Sequence, residues 1–401
     1  MAHERPKPRR LLFLSPGSAR DVRQWSGIPY FLYAALEQDA PSSGWVCGHL
    51  SVGALDLAAR AGNKLLRKLG IPIDCRFSTA YAILAGALLT IKLLFVRDAV
   101  LVAAASSNCI AYVRTIHPII YISDITFRAI SDFYPAFRAF PKWLKQQGER
   151  NERNTLRRAR FVIYPSRWAA QSAERDYGVP PDRIRQIQFG PNIPPAMIEQ
   201  YWAEKRIDGG GEIILLFISA DWERKNGEMV IAVGRALIAA GLNAKLLLIG
   251  DIPEHVGNLP FADVRGVLRK SDPAQLTAIC EAYRQAHFLF LPSTADASAI
   301  VFSEAQAFGV PSIAHDVGGA GSAVLDGKTG LLLPLGSRAE DFAEAIAKCA
   351  GDPELYRRLS ANCRERYRRE ANWSAWSRLI VRLADELSAD RAAVARPMAP
   401  R

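Results

Sequence analysis

Short runs of consecutive apolar residues recur along the chain, separated by longer amphipathic or polar stretches. In the first half, residues 11–14, 46–52, 99–103, 116–122, 161–164 and 185–188 predict strands, with helices between them. The runs are continuous rather than alternating in apolarity, as expected for strands covered on both faces. Such alternation of strand and helix defines β-α-β units and parallel sheets. The turn formers Pro191-Asn-Ile-Pro-Pro195 and Asp208-Gly-Gly-Gly211 predict a linker, after which the alternation restarts. Residues 213–219, 245–249, 264–267, 288–291, 312–314 and 330–333 predict six further strands, and 226–240 a helix. The pattern predicts an α/β protein of two Rossmann-like domains, 1–192 and 193–372. Ligands of such sheets bind at the carboxyl ends of the strands, so facing halves would form a cleft.

Two segments stand apart from this rhythm. Residues 81–96 are the most hydrophobic stretch but are interrupted by Lys92. They fall short of the roughly 18 to 20 apolar residues needed to span a bilayer, and a buried helix is expected. Further on, Trp373, Trp376, Leu379, Ile380, Leu383 and Leu387 recur at helical spacing, giving an amphipathic helix at 373–388 that needs a partner surface. The Ala-, Arg- and Pro-rich remainder, 389–401, predicts a disordered tail.

Composition narrows the class. With 401 residues, 49% hydrophobic and 23% charged, the chain can bury two sizeable cores. Six scattered cysteines without a C-x-x-C pair suggest neither a zinc site nor a disulfide framework. The apolar run after Arg9 and Arg10 is too short for a signal peptide, so a cytoplasmic protein is expected. A net charge of +11 would suit nucleic acid, anionic lipid or phosphorylated small molecules. No nucleic-acid motif accompanies it, and nucleic acid is not expected as a partner. Basic residues concentrate in 142–160 and 357–369, either as solvated helix faces or as a surface drawn to an anionic membrane.

The stretch from Leu291 to Pro311 carries the most chemistry. A strand ends at Pro292, a loop of small residues holds Asp296, and a helix opens near Ile300 with Glu304 in its first turns. Ala297, Ser298 and Ala299 permit close backbone approach, while the helix start at Ile300 offers N–H groups and a positive dipole to a phosphate. Glu304 can accept two hydrogen bonds from a ribose diol, or be an ordinary solvated helix residue.

The pattern Pro-Ser, an acid, seven residues, Glu-Ala, then Gly-x-Pro resembles the E-x7-E signature of the family-4 retaining glycosyltransferases, which have the GT-B fold. The resemblance implies that Glu304 binds the donor ribose and that Asp296, where the family usually has Glu, lies near the transferred sugar and phosphates. Upstream, Phe217-Ile-Ser-Ala-Asp-Trp-Glu-Arg-Lys-Asn-Gly227 leaves a strand and enters a helix; Arg224 and Lys225 resemble the family's diphosphate-clamping basic pair. Fixed cations there would stabilise a departing nucleoside diphosphate without a metal, Arg as a fork and Lys as a point charge. Further similarity lies in Leu246 to Asp251, in Asp316-Val-Gly-Gly319, where Gly318 and Gly319 would admit the donor, and in Asp326 to Leu332.

The first half is similar to the family in fewer places. Trp25-Ser-Gly-Ile-Pro29 resembles its glycine loop, which makes Gly27 a donor-binding candidate, with a plain turn as the alternative. Where the family carries His-Asp, this chain has Ser123-Asp124, so Ser123 and Asp124 become candidates to face sugar or acceptor; Asp124 could equally cap a helix. His117 is expected to be structural. The Pro165-Ser166 turn resembles the one that closes the family's N-terminal domain, which implies that Ser166 lies near the cleft and that the final helix crosses back onto the N-terminal domain.

Together these resemblances to the family imply a retaining hexosyltransferase-type enzyme (EC 2.4). It would move sugar from a UDP- or GDP-sugar to a saccharide or lipid-linked saccharide, with no cofactor and no metal, in glycolipid or polysaccharide synthesis. It could sit peripherally on the inner face of an anionic membrane. Replacing Lys225 or Glu304 by Ala is expected to cost orders of magnitude in turnover with the fold intact. A dinucleotide oxidoreductase is disfavoured, since no G-x-G-x-x-G follows a strand. A nucleotide-sugar-binding protein with an impaired site remains open, given Asp296 and Ser123.

Overall fold

A computed structural model describes residues 9–104, 107–207 and 211–395. The chain divides into two compact units, residues 1–187 with 373–401, and residues 188–372.

The first unit is built on six parallel strands: β1 (Arg9–Ser15), β2 (Trp45–Ser51), β3 (Ala99–Ala104), β4 (Ile119–Ile122), β5 (Phe161–Tyr164) and β6 (Ile184–Gln186). Their order is β2-β1-β3-β4-β5-β6. The central strands β3, β4 and β5 are buried along their whole length, which is why their sequences are apolar without alternation.

The second unit has the same plan. Its strands are β7 (Ile213–Ser219), β8 (Ala244–Gly250), β9 (Ala262–Val264), β10 (Phe288–Leu291), β11 (Ser312–His315) and β12 (Gly330–Leu333), ordered β12-β11-β10-β7-β8-β9 and all parallel. Gly330 opens β12 because a Cβ there would lie 1.9 Å from the Ser312 carbonyl oxygen. The helix predicted at 226–240 forms as Gly227–Ala239. Of the turn-rich linker, residues 208–210 lie outside the described residues.

The last helix, Trp373–Ala395, packs in the first unit against the helix Ile28–Asp39. Its apolar stripe is buried, with Trp376, Ile380 and Ala384 fully covered. Asp385 fixes it at the edge of the sheet, accepting from Arg9 at 2.7 Å and from the Trp45 indole at 3.1 Å. The helix runs past 389, where a disordered tail was expected; residues 396–401 lie outside the described residues.

Two other expectations change. The segment 81–96 forms the helix Thr79–Leu93, but only one of its faces is buried. Nor is 357–369 wholly a solvated face. Arg364 and Arg366 of the helix Pro353–Arg369 are buried, Arg366 donating to the carbonyls of Ser322 and Ala323 at 2.7 Å and Arg364 pairing with Glu199 at 2.5 Å. Buried cations are retained where they meet acceptors that water would otherwise have to satisfy. All six cysteines are free thiols.

Candidate donor site

In the second unit the chain runs from β7 through β8 to β9 at one edge, then returns to β10 and proceeds through β11 to β12 at the other. The sheet therefore reverses direction between β7 and β10, and the crevice outside the carboxyl ends there is where open α/β sheets bind ligands. Three loops converge on it. The loop leaving β7 carries Arg224 and Lys225, that leaving β10 carries Asp296, and that leaving β11 carries Gly318 and Gly319.

Lys225 and Asp296 form a buried ion pair across this switch point. Burial pushes the Lys225 ammonium below its usual range, and the adjacent Asp296 opposes the shift. The Ser293 hydroxyl also donates to Asp296, at 3.3 Å. Arg224 is held in place by Asp221, which accepts from its Nε at 2.9 Å, and by the Ala295 carbonyl, which accepts from Nη1 at 2.9 Å. Backbone bonds knit the loops together: Thr294 N–H donates to the Arg224 carbonyl and Gly319 N–H to the Asp296 carbonyl, both at 2.9 Å. Gly318 adopts φ 58°, a left-handed conformation that glycine takes at no steric cost.

Glu304 lies on the helix Ile300–Ala307 and is fully buried, so the solvated reading of this residue does not hold. Its carboxylate accepts from the Asn192 N–H at 3.2 Å, from the Tyr283 hydroxyl at 2.9 Å and from the Lys270 ammonium. Tyr283 and Asn192 are equally buried, whereas the Lys270 side chain is 26% exposed. A diol reaching Glu304 would replace Lys270, the one partner with access to water. Lys270 was missed from the sequence because, in Arg269-Lys-Ser-Asp272, it reads as an ordinary turn residue; only the tertiary fold sets it over Glu304.

The helix bearing Glu304 begins with Ala299 as its N-cap, a residue with no side chain able to cap. Ser298 and Ala299 are half-buried and Ile300 is buried at the helix start. The N-terminus of this helix follows Asp296 by four residues, and its free N–H groups carry the positive end of the helix dipole.

The first unit has its own switch point, between β1 and β3. The loop leaving β1 holds three successive residues in the left-handed region, Trp25 (φ 40°), Ser26 (φ 56°) and Gly27 (φ 89°). Gly27 is the N-cap of the helix Ile28–Asp39. The structure brings this loop to Asp124, which follows β4: the Trp25 indole donates to its carboxylate at 3.3 Å. Asp124 is not a helix cap; Thr126 caps the next helix, accepting from Ala129 N–H. Ser123 is buried and turned back on its own loop, its hydroxyl donating to the Ile125 carbonyl at 2.8 Å. Ser166 caps the helix Arg167–Tyr177, accepting from Ala169 N–H at 3.2 Å. His117 is buried near the strand's other end, with Nε2 3.3 Å from the Val96 carbonyl.

Paired six-stranded parallel sheets of this kind define the GT-B fold, and solved GT-B structures superpose along nearly the whole chain. Anabaena HepE in complex with UDP and glucose matches with a TM-score of 0.58 at 17% identity, covering 94% of this chain and all of that one. Sequence comparison adds a family match in each half. Residues 200–366 match the model for glycosyl transferases group 1, and residues 65–192 that for glycosyltransferase family 4, so each half resembles a glycosyltransferase domain. A D-inositol 3-phosphate glycosyltransferase of Rhodococcus erythropolis is 31% identical over 48% of this chain and 46% of its own length. The alpha-D-kanosaminyltransferase of Streptomyces kanamyceticus is 25% identical over 53% of this chain and 56% of its own. The chain thus spans about half the length of these curated relatives.

Proposed function

We propose that this chain transfers a hexose-type sugar from a UDP- or GDP-linked donor to an acceptor hydroxyl with retention of configuration, and that the donor seats at the β7/β10 switch point. The observation that carries this reading is the joining of Lys225, Asp296 and Arg224 at the carboxyl ends of β7 and β10, beside the helix start at Ile300. HepE, a structural neighbour, is described in complex with UDP and glucose, which favours the same ligand class here.

The chemistry follows from charge. A departing nucleoside diphosphate gains negative charge as the glycosidic bond breaks, and pre-placed cations and helix dipoles stabilise it without reorganising. Arg224 offers a planar fork of donors, already oriented by Asp221 and the Ala295 carbonyl. A diphosphate entering here competes with Asp296 for the Lys225 ammonium, leaving the Asp296 carboxylate to accept from sugar hydroxyls. Ser298, Ala299 and Ile300 present backbone N–H groups, Gly318 and Gly319 admit close approach, and Glu304 takes the ribose. In the first unit, Gly27 is assigned to the donor and Asp124 to sugar or acceptor, whereas Ser123 and Ser166 spend their hydroxyls on local backbone bonds. The proposed acceptor is a saccharide or lipid-linked saccharide, handled in the cytoplasm at the inner face of a membrane in glycolipid or polysaccharide synthesis. No metal or other cofactor is required by this scheme, since Arg224 and Lys225 supply the charge.

Screening UDP- and GDP-sugars for protection against thermal unfolding tests the donor assignment, because a ligand that binds the folded state raises its melting temperature by mass action. Protection by one nucleotide class, lost in Arg224→Ala, is expected. Equal protection of wild type and variant would overturn the site.

A further inference from the structure

The helices Ala54–Lys68 and Thr79–Leu93 depart from what water-soluble helices do. The second seats small side chains inward: Ala82, Ala85 and Gly86 face the core, and a Cβ on Gly86 would come within 2.8 Å of the Tyr112 backbone. Tyr81, Leu89 and Leu93 fill the core on that same face, yet the opposite face is also apolar, with Leu84 55% and Ile91 58% exposed and Phe95, just past the helix end, 86% exposed. Positions 84, 87, 91 and 94 make one helical stripe. The first helix repeats the arrangement with Leu57 71% and Leu65 60% exposed, on the same stripe as Ala61, Lys64 and Lys68. Both helices pack on one core cluster, to which Ala59 of the first and Tyr81 and Ala85 of the second belong. Of 19 exposed large apolar side chains among the described residues, ten fall between positions 57 and 95, so exposed apolar surface is concentrated on these two helices and the turns that follow them.

Charge identifies what covers it. Residues 57–97 contain seven Lys or Arg and a single acid, Asp74, which is paired with Arg76. Asp56, just before, is buried and paired with Arg60. Lys64, Arg67 and Lys68 have no carboxylate partner among the described residues. A second copy docked face to face would set these cations against each other, since a two-fold interface presents the same patch twice. Exposed apolar side chains beside cations that lack a carboxylate partner complement lipid headgroups of negative charge above acyl chains. No helix among the described residues is long and apolar enough to cross a membrane.

We infer that the outer face of Ala54–Lys68 and Thr79–Leu93 is a docking surface for an anionic bilayer, with Leu57, Leu84, Ile91 and Phe95 entering the interface and Lys64 and Lys68 meeting headgroups. This rests only on the membrane element of the proposed function and places it on these two helices, away from the Arg-rich segments 142–160 and 357–369.

Co-sedimentation of the full chain with vesicles of phosphatidylcholine, or of equimolar phosphatidylcholine and phosphatidylglycerol, tests it. Binding is expected to the anionic vesicles and to weaken with added salt. The double variant Leu84→Gln/Ile91→Gln should lower partitioning about a hundredfold, since each buried leucine or isoleucine contributes about tenfold. Lys64→Gln/Lys68→Gln should lower it about five-fold per cation. The control Arg357→Gln/Arg358→Gln removes the same charge from exposed positions of the other unit and should bind as wild type. Thermal unfolding of each variant verifies the fold. Absence of wild-type binding, equal binding by the first two variants, or concentration-dependent dimerisation abolished by Leu84→Gln/Ile91→Gln would overturn the inference. Nucleotide protection measured without vesicles reports on the donor site separately, so failure of one reading is distinguishable from failure of the other.

Discussion

Replacing Glu304 separates what this carboxylate does for the fold from what it does for a ligand. Glu304→Ala strips the acceptor from three donors at once: the Asn192 N–H, the Tyr283 hydroxyl and the Lys270 ammonium. Lys270 is partly exposed and can turn to water, so its loss costs little. Asn192 and Tyr283 are fully buried, and each orphaned donor costs about 1–3 kcal/mol, giving about 4 kcal/mol in total. For a unit of this size, about 2–4 °C per kcal/mol puts the fall in melting temperature at about 8–16 °C. This substitution is therefore expected to lower stability as well as turnover. Glu304→Gln behaves differently, because its amide keeps one acceptor oxygen and offers an N–H to Tyr283, whose hydroxyl can accept. It should melt within a few degrees of wild type yet lose nucleotide protection, since a carboxamide cannot accept both hydrogen bonds of a diol. Differential scanning fluorimetry with and without UDP and GDP reads both quantities. Glu304→Ala melting like wild type would refute the burial argument, and full nucleotide protection of Glu304→Gln would refute the ribose role.

Other perturbations follow from the same structure. Lys225→Ala leaves Asp296 buried without its cation and should destabilise the second unit by about 3–5 kcal/mol, with Lys225→Ala/Asp296→Ala recovering part of it in a chemical-denaturation series. Glu152 is buried in the first unit and its carboxyl is pushed up to about 8 by loss of hydration. The folded state therefore holds a proton that the unfolded chain releases near its ordinary carboxylate value. Stability should fall as pH rises between those two values, by at most about 1.4 kcal/mol per pH unit, and Glu152→Gln should flatten the slope in pH-dependent melting. Gly27→Ala places a side chain at φ 89° and should cost about 1–3 kcal/mol, read by thermal unfolding. Ile380→Ala empties a fully buried position on the last helix and should cost about 2–5 kcal/mol in the first unit.

Much of this molecule was legible before any coordinates. The strands buried along their length lie where continuous apolar runs announce them, because a parallel strand covered on both faces needs such a sequence, whereas the short, part-exposed edge strands β6 and β9 do not, and β9 overlaps the expected 264–267 only at Val264. The acids Asp296 and Glu304 and the cations Arg224 and Lys225 also stood out, since loops at strand ends and helix starts carry recognisable small residues and turn formers. Their partners did not. Nothing in residues 269–272 points to Glu304, and nothing in Trp25 points to Asp124 ninety-nine positions away; these pairs arise from the strand order, which sequence periodicity does not encode. The helix Thr79–Leu93 shows the same division. Its sequence settled that it is apolar and helical, but apolarity on every side hides which face is covered. Only packing decided that Ala85 and Gly86 go in and Leu84 and Ile91 stay out, because close approach to the Tyr112 backbone leaves room there for small side chains alone.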